Sequence, residues 1–157
     1  MPAQADLVAM GRALEHATAN VDAGGGPFGA VIVTPGGDLI TAAIRVVASH
    51  DATAHAEIEA IRSAGRRLGT HDLAGCTLYS SCEPCPMCLM ACQWARLDRV
   101  WFAATAEDAA RAGFDDLDFY REIRGEAPLQ TPVERLDHPD HLMPFERWAA
   151  YGPRVPY

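Results

Sequence analysis

The sequence predicts an α/β fold, one sheet covered by helices on both faces. Short apolar, β-branched runs alternate with stretches of helical period, and Gly/Pro punctuation separates them. Size agrees: 157 residues fit one compact domain that buries about 68–70% of its unfolded surface, and no repeat or long linker divides them.

In chain order, Leu7, Met10, Leu14, Ala17 and Val21 recur at steps of three and four, the period of an amphipathic first helix ended by Gly24-Gly25-Gly26-Pro27. Ala30-Val31-Ile32-Val33 is a short buried strand, which Pro35-Gly36-Gly37 turns into a second strand near Leu39–Ala43. A second helix is expected from about 53 to 68, capped by Asp51 or Thr53 and facing inward through Ile58, Ile61 and Leu68. Thr77-Leu78-Tyr79-Ser80 reads as a strand, and Pro86 suits the first position of a third helix, where its missing N–H costs nothing. Val100-Trp101-Phe102-Ala103 gives another strand and 105–112 a fourth helix. Beyond Pro132 the signals thin to a strand at 133–136 and a helix from about 144 to 151.

Charge and cysteine usage narrow the function. Acids outnumber bases 21 to 13, a net charge of −8, and the arginines are scattered, so nucleic acid is a poor match as partner. No apolar run approaches the roughly 20 residues of a membrane helix, and the first residues lack a signal-peptide pattern, so the expected location is cytoplasmic. Cys76, Cys82, Cys85, Cys88 and Cys92 are odd in number and bunched within 17 positions, which suits a metal better than a disulfide framework.

Two segments carry chemistry: His55-Ala56-Glu57 and Pro84-Cys85-Pro86-Met87-Cys88. Cys85 and Cys88 stand three apart at a helix start, so both sulfurs can face one point. With His55 they make three zinc ligands and leave a fourth position for water, the pattern of a catalytic site. Glu57 lies beside the metal without binding it, placed to take the water proton and pass it to a ring nitrogen and a leaving amine. His-x-Glu followed by Pro-Cys-x-x-Cys is the signature of zinc-dependent deaminases.

Two other readings stand beside it. His55 and Glu57 are also ordinary residues for a helix start, with the cysteines forming a structural knot. Cys82, Cys85, Cys88 and Cys92 also carry iron–sulfur spacing. There, however, Gln93 replaces the expected proline, Cys76 alone is left for a second cluster, and His55 and Glu57 have no task. Cys82 and Cys92 read more simply as small buried residues.

At these residues the chain resembles the cytidine deaminase-like superfamily and, within it, the bacterial guanine deaminases. The likeness runs through Gly26-Pro27-Phe28-Gly29-Ala30-Val31-Ile32-Val33, Asp51-Ala52-Thr53-Ala54-His55-Ala56-Glu57 and Ser81-Cys82-Glu83-Pro84-Cys85-Pro86-Met87-Cys88. It continues in Trp94-Ala95-Arg96, Ala112-Gly113-Phe114-Asp115-Asp116 and the closing Tyr157. It implies a three-layer α/β/α fold on a five-stranded mixed sheet, one deaminase domain over 1–157, and a homodimer whose C-terminal segments (about 140–157) are exchanged. By the same likeness zinc sits on His55, Cys85 and Cys88, while Glu57 and Asp116 are catalytic. Phe28, Trp94, Tyr157, Ala56 and Ile44 then surround the substrate. Asp116 and Asp115 also read as caps of a helical turn holding Phe119 and Tyr120, and Phe28 and Trp94 also read as core.

One departure bears on substrate. Guanine deaminases of this type carry an asparagine after the second strand to hold the purine; counting back from His55, the matching positions are Ile44 and Arg45. Isoleucine offers no hydrogen bond and arginine only donors, and a lost buried polar contact is worth about 1–3 kcal/mol. The expected substrate is a free amino-substituted heterocycle, an s-triazine such as ammeline, a cytosine analogue or guanine, with water as co-substrate. A tRNA adenosine deaminase and a non-catalytic metal-binding module are the alternatives.

Overall fold

In a computed structural model describing residues 3–156, four strands form one mixed sheet in the order β2-β1-β3-β4. β1 (Gly29–Val33) pairs antiparallel with β2 (Leu39–Ala43), Ile32 opposite Ile40, and antiparallel with β3 (Thr77–Cys82), Ile32 opposite Leu78. β3 runs parallel to β4 (Arg99–Ala104), joined by α4 (Pro86–Trp94), a crossover long enough for parallel pairing. The expected mixed α/β sheet is therefore present, but with four strands and not five. The missing one is the 133–136 segment: Val133 and Leu136 are exposed, Pro132 removes a backbone donor, and Glu134, Arg135 and Asp137 leave no apolar face to bury.

Alternation along the strands divides the core into two layers. Val31 and Tyr79 face α1 (Gln4–Asp22), meeting Ala9 and Ala13, while Ala30, Ile32 and Leu78 face α3 (Ala56–Leu68), meeting Ala60 and Ala64. The inner face of α3 differs from the sequence reading. It is made of Ala56, Glu57, Ala60 and Ala64; Ile58 and Ile61 are half-buried and Leu68 is exposed. Alanines let the helix lie close on the sheet, and the larger side chains turn to its flank. A short α2 (Val46–Ser49), not signalled by periodicity, precedes it. Neither Asp51 nor Thr53 caps α3; Asp51 instead accepts from the Thr53 backbone and hydroxyl, shaping the turn that delivers His55 to the N-cap position.

After β4 come α5 (Ala106–Arg111), α6 (Asp116–Ile123) and α7 (Met143–Ala150). Thr105 and Asp108 close α5 with a capping box. From Pro128 to Pro156 every residue is exposed, so this stretch is an arm lying outside the body. Among the described residues, no helix is long and apolar enough to cross a membrane.

Candidate active site

Two helix starts meet beyond the C-terminal ends of β2 and β3. His55 is the N-cap of α3 and Cys85 the N-cap of α4, with Pro86 at the first turn of α4 as its fixed φ favours. Cys88 lies one turn further along. His55 Nδ1 is 3.6 Å from Cys85 Sγ and 3.5 Å from Cys88 Sγ. Tetrahedral zinc, with Zn–N about 2.0–2.1 Å and Zn–S about 2.3 Å, places nitrogen and sulfur about 3.6 Å apart. The donor set therefore fits zinc, and among the described residues it is the one group of its kind. A hydrogen bond from Cys88, together with His55 nearby, pulls the Cys85 thiol down to about 4 despite its burial, which favours a thiolate ligand; the same contact pushes Cys88 up.

Cys82 and Cys92 stand outside that group. Burial pushes their thiols up to about 11 and about 12, and Cys82 is spent on the Thr105 carbonyl while Cys92 packs in the core beside Leu78. Four sulfurs do not converge, and the iron–sulfur spacing is a coincidence of helix and strand.

Glu57 is 6% exposed, and its Oε1 accepts a hydrogen bond of 3.0 Å from Ser80 Oγ on β3. Burial raises its pKa above the ordinary carboxylate range. Ser80 was not singled out in the sequence; the signal for it was a hydroxyl inside an otherwise apolar, buried strand. Asp116, the first residue of α6, is half-buried. Its pKa is also raised, by burial first and by the Cys85 charge second. Asp115 makes no side-chain cap to α6, so capping is not what this acidic pair does.

These groups line a cavity of about 180 Å³ with Phe28, Ile44, Glu83, Phe114 and Phe119. Phe28 meets Phe114 edge to face, ring centres 4.7 Å apart. Ile44 supplies an apolar wall and is held from both sides: its N–H donates to the Phe28 carbonyl and its carbonyl accepts from Asn20 Nδ2. Arg45 stands outside this cavity, in a neighbouring groove that shares Ile44, His55 and Phe114 with it. Glu83, Phe114 and Phe119 were missed in the sequence as lining residues, although Phe114 sits inside the Gly113-to-Asp116 motif.

The other expected contacts are placed differently. Ala56 is fully buried as the first residue of α3, so its side chain packs in the core and what it offers is a backbone N–H at a helix start. Trp94 lies away from the zinc cavity. It is 62% exposed at the end of α4 and lines a separate cavity of about 910 Å³ with Ile61, Leu73 and Val155. That cavity is wider than the one beside His55, yet it holds none of the metal-ligating set. Tyr157 lies outside the described residues; Pro156 before it lines a recess with His71 and Trp94.

Residues 3–104 match the family model for the cytidine and deoxycytidylate deaminase zinc-binding region. The guanine deaminase of Bacillus subtilis (strain 168) is 47% identical over 148 residues, 93% of this chain and 95% of that protein. The crystal structure of the B. subtilis guanine deaminase superposes with a TM-score of 0.90 over 96% of this chain and 98% of that one, at 45% identity. The structure of a guanine deaminase from Nitrosomonas europaea gives 0.67 at 37% identity, over 74% of this chain and 66% of the other. A tRNA-specific adenosine deaminase of Aquifex aeolicus (strain VF5) is 44% identical over 92 residues, 59% of this chain and 61% of that one.

Proposed function

The chain belongs to the cytidine and deoxycytidylate deaminase zinc-binding family, and from that premise we propose that it hydrolyses the exocyclic amino group of a small free heterocycle. The family and the donor set make it a zinc-dependent nucleobase deaminase. Our reading assigns zinc to His55, Cys85 and Cys88 and the protons to Glu57 and Asp116. The observation that carries this is the buried Glu57 carboxyl in one small cavity with His55 and Cys85. Zinc, when bound, supplies an acidified water. Glu57 then moves protons: burial raises its affinity for one, and Ser80 fixes the carboxyl so that it addresses the cavity and not the metal. Asp116, the first residue of α6, lines the same cavity and shares the proton transfers with Glu57.

The walls favour a flat ring. Phe28, Phe114, Phe119 and Ile44 are apolar, and about 180 Å³ is below the roughly 300 Å³ where drug-sized pockets begin. Ring choice is then relaxed, because Ile44 cannot pair with a purine edge. We propose that a one-ring amino-heterocycle, such as ammeline or a cytosine analogue, is accepted beside guanine. The test is ammonia release from guanine, ammeline and cytosine by enzyme carrying about one zinc per chain. We expect kcat/KM on the best small ring within about tenfold of that on guanine, since apolar walls discriminate weakly by size. Strong guanine activity with none on the small rings overturns the relaxed choice and leaves the deaminase reading intact.

A second reading, deamination of adenosine in tRNA, is favoured by the Aquifex likeness. The net charge of −8 speaks against it, and ammonia released from a tRNA anticodon stem-loop in preference to free bases would establish it. We further propose a homodimer that exchanges its arms, and a cytoplasmic home, where five free buried thiols suit a reducing compartment.

A further inference from the structure

Glycines in the left-handed conformation flank the helix that carries Asp116. Gly113 before α6 has φ +94° and Gly125 after it φ +74°, a backbone conformation glycine adopts freely. No atom lies within 4 Å of where a Cβ would stand at either position. Each glycine closes the helix before it: the Gly113 N–H donates to the Ala110 carbonyl of α5, and the Gly125 N–H to the Glu122 carbonyl of α6. Asp116 and Phe119 of this helix line the cavity, yet Phe119 is 41% exposed and α6 contributes no fully buried residue. Packing alone holds the segment lightly.

One hydrogen bond compensates. The Tyr120 hydroxyl donates to the carbonyl of Pro84, a buried residue immediately before Cys85. Among the described residues, no other side chain of α6 hydrogen-bonds outside the helix. Tyr120 follows Asp116 by four residues, so both lie on the same helical face one turn apart. Moving the hydroxyl moves the carboxyl. We propose that Tyr120 is a positioning residue: its hydroxyl latches α6 onto the loop that carries Cys85, and so sets where Asp116 stands against the ring. This rests on the role given to Asp116 above.

The latch works through Asp116, and a double-mutant cycle reads that directly. Tyr120→Phe keeps the ring and its packing and removes only the donor. A displacement of about 1 Å can cost on the order of 100-fold in rate. We expect Tyr120→Phe to lower kcat on the best free base by about 10- to 100-fold. KM should change by less than about threefold, because Phe28, Ile44 and Phe114 still form the walls. Zinc should remain at about one per chain. In an Asp116→Asn background, itself impaired, adding Tyr120→Phe should cost less than about twofold, since the group being positioned is already gone. An undiminished penalty in that background overturns the latch, as does full activity or loss of zinc in Tyr120→Phe alone. Full activity in Asp116→Asn overturns the role of Asp116 and the latch with it, a result distinct from failure of the latch alone.

Discussion

Glu57 and Ile44 face the same cavity from opposite chemistries, one a buried acid and the other an apolar wall. Glu57 is tolerated at 6% exposure because Ser80 donates to it, and burial itself raises its pKa toward the neutral acid. Glu57→Gln keeps the Ser80 partner and the shape while removing the titration. It should retain zinc by elemental analysis and lose about 10²–10⁴-fold in kcat by ammonia release; near-normal turnover would sink the proton-transfer role. Ile44→Asn tests the wall. An amide there should shift the guanine-to-ammeline ratio of kcat/KM toward guanine by roughly 1–3 kcal/mol, and an unchanged ratio would show that the residue does not face the ring. Much of this site was legible from spacing alone, since two helix-start motifs carry their ligands in fixed local geometry. Ser80, Phe114 and Phe119 were not legible. Ser80 reaches Glu57 through strand placement, and Phe114 and Phe119 join the cavity through the return of the chain at α6, which a single sequence does not announce. Trp94 stands at the end of α4, where it lines a cavity with Val155 and not the one with His55.

The elements followed local rules where local rules decide. Turn punctuation located β2 to the residue, and Pro86 marked the start of α4. Tertiary packing overrode them on α3, where alanine rather than isoleucine meets the sheet. The expected strand at 133–136 failed because no sheet edge and no apolar face receives it. One tie between elements makes a pH-dependent prediction. Tyr79 on β3 donates a 2.6 Å hydrogen bond to Asp6 on α1, joining the first helix to the sheet. That bond lowers the pKa of Asp6 from 3.8, and burial followed by the Asp6 contact raises Tyr79 from 10.0 to about 12. The signs agree. A depressed acid contributes stability above its unfolded pKa and loses it as pH falls below 3.8 toward its folded value; a raised phenol contributes below 10 and loses it as pH rises toward about 12. Urea unfolding of wild type and Tyr79→Phe at matched pH should therefore differ most between about 5 and 9, with the gap closing at both ends. No gap at any pH would mean that the ring, which Tyr79→Phe keeps, holds α1 without the hydroxyl.

At the scale of the whole molecule, the body is self-sufficient and the arm is not. Leu142, Met143, Phe145 and Trp148 present apolar side chains on or beside α7, and all are exposed. A monomer in water would leave this surface uncovered, whereas a second copy offering its own α3 and α4 flank would cover it. The cavity of about 910 Å³ lined by Ile61, Leu73, Trp94 and Val155 is apolar enough to receive such a segment, and the chain's last described residues already run toward it. Sedimentation should accordingly give twice the chain mass. Deleting residues 152–157 separates closure from assembly, because α7 and its apolar side chains stay in place. The truncated protein should remain dimeric, with zinc on His55, Cys85 and Cys88. Its kcat/KM on the best free base should fall further than its stability does, since a closing tail excludes water and completes the walls. Unchanged kinetics in a zinc-loaded dimer would mean that the tail only packs on the surface, and would leave the Phe28–Phe114 pair as the outer limit of the site.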